Sequence, residues 1–259
     1  MGKVIAIANQ KGGVGKTTTC VNLAASLAAM NKKILVIDCD PQGNATMASG
    51  CNKFGLKKTI CQVLIDGMDI KECLIEETNG KFHLIPSNED LTAAEVKLLD
   101  YYAREFKLKK ALESDNFLNN YDYILIDCPP SLNLLTVNAM CAANSILVPL
   151  QCEYFALEGL TQLIDTVDQL AQAVNPSLKI EGILRTMFDN RNRLSTDVSE
   201  ELKKNFGNLI YQTIIPRNVR LAEAPSYGRP AMYYDKSSVG SKAYLALAAE
   251  VIDRDSKNL

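Results

Sequence analysis

The chain has 259 residues, 47% of them hydrophobic and 22% charged, with a formal net charge of −2. That composition is of a globular protein with a sizeable core, and its charge balance gives no bulk attraction to nucleic acid. No apolar run reaches the roughly 18 residues of a membrane span, and Met1-Gly2-Lys3 leads straight into a strand pattern with no secretory signal, so a cytoplasmic protein is expected.

The first apolar run, Val4 to Ala8, precedes QKGGVGKTT at residues 10–18, and a helical pattern, Cys20 to Leu27, follows. Strand, glycine loop and helix form the context of a phosphate-binding loop. Glycines at 12, 13 and 15 let backbone N–H groups turn inward around phosphates, and the helix directs its positive end at the same anion. Lys16 is placed to neutralise β- and γ-phosphate oxygens, and the Thr17 hydroxyl to ligate Mg²⁺. The expected nucleotide-binding set is Lys11, Gly12, Gly13, Val14, Gly15, Lys16, Thr17 and Thr18. The loop departs from the usual G-x-x-x-x-G-K-[ST] pattern: Gln10 stands at the first glycine position, and a second lysine, Lys11, precedes the glycine pair.

A buried strand at Ile34–Ile37 delivers Asp38 and Asp40 at its C-terminal end, where open parallel sheets bind ligands. A polar strand exit with a helix cap would also account for Asp40. Pro41 and Gly43 then break regular structure. Residues 51–80 read as a weakly patterned helical insertion, and Phe82–Pro86 as a strand. Thr92 and Glu95 have capping-box spacing, which predicts a helix running towards Asp100. A further amphipathic helix is predicted over Ala103–Leu118.

Tyr121–Asp127 is an apolar strand ending in aspartate. Paired with the glycine loop, it supplies a carboxylate for Mg²⁺. Pro129-Pro130-Ser131 then turns the backbone out of the sheet, which with the Pro41–Gly43 break gives two candidate switch loops. Strands are expected at Ser145–Leu150, Lys179–Thr186 and Asn208–Ile215, and helices at Tyr154–Ala173 and Ser238–Asp253. The last carries an apolar face of Tyr244, Leu245, Leu247, Ala248 and Val251 without the basic face of a membrane-surface helix. The eight cysteines include no C-x-x-C pair and read as reduced thiols packed as small hydrophobes; the single histidine, His83, reads as structural. Alternating strands and helices with short turns predict a single α/β domain over residues 1–259. Its expected form is a doubly wound, mostly parallel sheet with helices on both faces.

KGGVGKTT, DCDPQGN and ILIDCPPS together resemble the ParA family of partition ATPases, close to its chromosomal Soj-type members. The resemblance continues through QCEYFALEGL at 151–160 and TMFDNRNRL at 186–194 to IPRNVRLAEAPSYGRP at 215–230. It implies a P-loop ATPase that uses ATP and Mg²⁺. Lys11 would be the signature lysine that reaches across a nucleotide-sandwich homodimer, and Gly13 the point of closest backbone approach. With Lys11 and Lys16, Asp40 would complete the catalytic set by orienting the attacking water. Thr17 and Asp127 would serve the metal with Asp38 behind them, and Pro216 and Asn218 would hold adenine.

Residues 179–229 carry nine basic and six acidic side chains, which allows a local basic face. Scattered solvated charge would give the same count. The family resemblance instead implies that Arg191 and Arg220 bind DNA without sequence preference. It also implies a centromere-binding partner of the ParB/Spo0J type that stimulates slow hydrolysis, no membrane, and association with the nucleoid. The main alternative is a MinD-like membrane-cycling positioning ATPase, and a second is a reductase resembling the nitrogenase iron protein, for which Cys128 lies in the wrong setting.

Overall fold

The computed structural model describes residues 2–257. Seven strands form one sheet: β1 (Lys3–Ile7), β2 (Ile34–Asp38), β3 (His83–Ile85), β4 (Tyr123–Asp127), β5 (Ser145–Gln151), β6 (Lys179–Phe188) and β7 (Ile210–Pro216). Their order across the sheet is β3-β2-β4-β1-β5-β6-β7, and every neighbouring pair is parallel. Parallel neighbours need crossover helices, which cover both faces and leave central strands wholly apolar. β1, KVIAI, and β4, YILID, show that consequence over Val4–Ile7 and Tyr123–Ile126, with Lys3 and Asp127 only at strand ends.

Alternation along each strand divides the core in two. Val4, Ala6, Ile124 and Ile126 point to one face, beneath the helices Leu134–Ala142 and Ala156–Ala173. Ile5, Ile7, Val36 and Leu125 point to the other, beneath Lys16–Ala29 and Val239–Lys257. Each such isoleucine or leucine, fully removed from water, contributes about 1.5–3 kcal/mol. The last helix buries Tyr244, Leu247, Ala248 and Val251 in this core, while Leu245 is half-buried. Its Tyr244 hydroxyl meets Thr19 Oγ1 at 3.1 Å, tying it to the helix after the glycine loop. No helix among the described residues is long and apolar enough to cross a membrane.

Two helix predictions need correction. The helix near Thr92 spans Asp90–Leu98, so Thr92 lies inside it and caps nothing. The capping box occurs instead at Thr59 and Gln62, opening the helix Ile60–Asp66 within the 51–80 segment. Residues 103–118 do not form one helix. A 3₁₀ turn (Arg104–Phe106) leads to a seven-residue helix (Lys107–Glu113), then left-handed backbone at Asp115 and Asn116. Aspartate and asparagine tolerate that conformation better than other non-glycine residues, and their presence there breaks the helix.

Candidate nucleotide site

All the C-terminal ends of the strands lie at one edge of the sheet, because every pairing is parallel. The loop after β1 rises from this edge and passes directly into the helix Lys16–Ala29. Gly13 and Gly15 have φ of +75° and +89°, conformations that a side chain would strain. A Cβ built at either position, or at Gly12, meets no heavy atom within 4 Å. The glycines therefore line open space instead of supporting internal packing, as a cradle for phosphates requires.

The loop is held from both sides by residues outside its motif. Asn9 Oδ1 accepts the Lys11 N–H at 2.9 Å, and its amide donates to the Pro149 carbonyl at 2.8 Å. Thr186, at the end of β6, donates its hydroxyl to the Val14 carbonyl at 2.8 Å in a buried bond. Neither Asn9 nor Thr186 was anticipated. Thr186 shares β6, KIEGILRTMF, with three charged residues, so nothing local marks it out.

The two lysines occupy different settings. Lys16 is only 7% exposed, and its ammonium donates to the Lys11 carbonyl at 3.1 Å. Burial lowers its pKa, while the Asp127 and Asp40 charges oppose that shift. Lys11 is exposed on the rim, and its ammonium pairs with Glu153 in the loop after β5. Glu153 lies inside the QCEYFALEGL stretch but was not singled out by sequence. Thr18, half-buried in the first helical turn, accepts from the Asn22 amide at 2.8 Å through its carbonyl.

Three aspartates converge from β2 and β4. Asp38 and Asp127 are directly paired positions on the neighbouring strands. Thr17 Oγ1 donates to Asp127 Oδ2 at 2.7 Å, and Asp127 Oδ1 is buried with no partner. Asp38 Oδ2 accepts from the Thr46 N–H at 2.8 Å and hydroxyl at 2.7 Å, and its Oδ1 from the Asp40 N–H at 3.2 Å. Burial pushes Asp38 up to about 6 and Asp127 well above the carboxylate range. An orphaned buried carboxylate oxygen beside a threonine hydroxyl is an all-oxygen donor set suited to a hard divalent cation. Asp40, 8% exposed, accepts the Gln42 N–H at 2.9 Å and so is held at the start of the Pro41–Gly43 turn. Thr46, two residues past the DCDPQGN stretch, is the missed partner that orients Asp38.

The remaining sequence candidates lie around this edge. Pro216 ends β7 opposite Phe188 of β6. Asn218 precedes the short helix Val219–Glu223 without capping it, and its Oδ1 is buried and unpartnered. That orphaned amide oxygen fits a ligand with a hydrogen-bond donor. Pro216 and Arg191 line one cleft of about 790 Å³ together with Arg217 and Lys242. Arg191 is held by Asp189 through two bonds of 2.9 and 2.7 Å, which keep the Asp189 carboxyl down at about 2. Arg220 pairs with Glu223 at 2.8 Å and Asp235 at 3.4 Å. Arg185, counted among the nine basic residues, is 1% exposed and donates to Ser199 Oγ and the Tyr211 carbonyl, so it adds nothing to a surface charge.

Cys128, next to Asp127, is 1% exposed, and burial drives its thiol pKa up. It is neither a nucleophile nor a ligand accessible to a second subunit. His83 Nδ1 lies 3.0 Å from the Tyr121 hydroxyl, away from these groups.

The AAA domain family model matches residues 2–180. The sporulation initiation inhibitor protein Soj of Bacillus subtilis is 51% identical over 251 residues, 97% of this chain and 98% of that one. The chromosome partitioning protein ParA of Caulobacter vibrioides is 47% identical over 253 residues, 98% of this chain and 95% of that one. Among solved structures, cobyrinic acid a,c-diamide synthase of Mycobacterium smegmatis with bound ATP analog and magnesium superposes with a TM-score of 0.86. It is 34% identical and covers 100% of this chain and 98% of that one. With the glycine cradle, its paired lysines and the facing aspartates in place, the chain belongs to the ParA/Soj family of P-loop ATPases.

Proposed function

We propose that residues 1–259 act as one ATP-dependent switch in chromosome or plasmid segregation. ATP closes two copies into a dimer, the dimer binds DNA without sequence preference, and hydrolysis stimulated by a ParB-type partner releases it. The observation that carries this reading is the division of labour between the two lysines. Lys16 is buried inside its own loop, while Lys11 stands exposed on the rim with only Glu153 holding it. An exposed ion pair is worth about 0–1 kcal/mol, so exchanging Glu153 for a second copy's phosphates costs little.

Backbone N–H groups of residues 12–17 bind the phosphate chain, and Lys16 neutralises its developing charge. Thr17 and Asp127 would hold Mg²⁺, with Asp38 behind them. When bound, that ion supplies charge neutralisation at the β- and γ-phosphates. Asp40 accepts a hydrogen bond from the attacking water and aligns it. Basal turnover is slow because the loop offers lysines and no arginine to the transition state. The loops after Asp40 and Asp127 order around the γ-phosphate and relax on its loss. Arg191 and Arg220 leave their carboxylate partners for DNA phosphates, which places the ATP form on the nucleoid. ATPase assays with and without DNA and a ParB-type protein test this reading. Strong stimulation by the two together supports it, and an unchanged rate contradicts it.

A further inference from the structure

The sheet edge opposite the glycine loop carries a second hollow. β2 and β3 start there, at Ile34 and His83, so it lies one strand length, about 15 Å, from Asp38. Its volume is about 610 Å³, within the range of small-molecule sites. The floor is aromatic. Tyr121 stands edge-on to His83 with ring centres 5.5 Å apart, and to Phe117 at 5.4 Å. The hydrogen bond between His83 Nδ1 and the Tyr121 hydroxyl fixes the imidazole at this floor.

The rim is cationic. Lys32, Lys33, Lys71 and Lys81 all line it, opposed within the lining by Glu76 alone. Two nearby carboxylates are already engaged: Asp115 pairs with Lys71 at 3.2 Å, and Asp122 accepts the Lys33 backbone N–H at 2.7 Å. Lys81 lies 5.7 Å over the Tyr233 ring. Among the described residues, no carboxylate lies within 4.0 Å of the Lys32, Lys33 or Lys81 ammonium. Lys32 and Lys33, unpaired with any carboxylate among the described residues, and Lys81, whose ammonium rests over a neighbouring ring, line this concavity over an aromatic floor, a setting that favours a compact anion with a planar body. A duplex would instead meet a convex or flat basic stripe.

We propose that this basal pocket binds a phosphorylated small molecule of nucleoside monophosphate size. Its phosphate sits on the lysine rim and its ring against His83, and the site is independent of the glycine loop. His83 is the only histidine in the chain, so its ring resonances report on the pocket without overlap. The test is an NMR titration of the full chain with AMP, using Lys16→Ala to suppress binding at the loop. The expected result is a saturable movement of the His83 ring signals, weakened at least tenfold by Lys32→Glu with Lys81→Glu. Lys32→Gln with Lys81→Gln provides a gentler second variant, and an unchanged free spectrum in either shows that the fold is retained. The proposal is overturned if AMP leaves the His83 signals in place, or if the charge variants leave the titration unaltered. It is equally overturned if short duplex DNA moves those signals and AMP does not.

Discussion

Thr17 Oγ1 donates to Asp127 Oδ2 at 2.7 Å, joining the first helical turn after the glycine loop to the C-terminal end of β4. The bond brings together the two side chains proposed to hold Mg²⁺ before any ion is needed to collect them. Thr17→Ala removes the threonine oxygen and the donor to Asp127. A hydrogen bond to a charged group is worth about 1.5–3 kcal/mol, so Mg²⁺-dependent ATP affinity should fall about tenfold or more. Calorimetric titration with and without Mg²⁺ checks this, and loss confined to the Mg²⁺ condition is the expected pattern.

The buried carboxylates make stability depend on pH with a definite sign. Asp38 is pushed up to about 6 and Asp127 well above the carboxylate range, whereas both ionise near 3.8 when unfolded. The native state therefore holds more protons, and stability falls as pH rises from about 4 through 6 and beyond. Asp127→Asn removes part of that penalty. The nucleotide-free variant should be more stable than the parent at pH 7.5, with the gap narrowing towards pH 4. Urea unfolding at the two pH values measures it, and a gap that widens on acidification would contradict the assignment.

Under the proposed dimer switch, a substitution at Gly13 would separate folding from assembly. Its φ of +75° makes any side chain strained by about 1–2 kcal/mol, yet a Cβ there touches nothing in its own chain. Gly13→Val should fold and remain monomeric with ATP, where the parent is expected to dimerise. Light scattering with a non-hydrolysable ATP analogue distinguishes the two.

Thr186 acts on the loop from outside it. Thr186→Val retains shape but leaves the Val14 carbonyl without its buried donor, at a cost of about 1–3 kcal/mol. A lower thermal midpoint and weaker nucleotide binding should appear together, since the same bond fixes the loop.

The parts of this molecule legible in its sequence are those whose chemistry is local. Gly13 and Gly15 announce their backbone, and the apolar runs of β1, β2 and β4 announce burial on both faces. Asp38 and Asp127 could be placed at one edge because each ends such a run. What escaped depends on residues distant in sequence. Thr186 lies 172 positions from Val14, and Glu153 lies 142 from Lys11. Nothing in either segment encodes those pairings. Thr92 and Glu95 had the capping spacing, but the chain had already entered its helix at Asp90, because Leu91, Ala94 and Leu98 turn into the core and fix its start. Arg185 showed a positive charge to a count of residues, while the strand it sits on turned it inward.

Arg191 and Arg220 hold the central claim, since both are bound to their own chain's carboxylates. The decisive measurement is DNA binding with ATP, with ADP and without nucleotide, for the parent and for Arg191→Glu combined with Arg220→Glu. The account predicts binding that requires ATP, weakens with salt and disappears in the variant. Tight binding in all three nucleotide conditions, or binding that survives both substitutions, would contradict it.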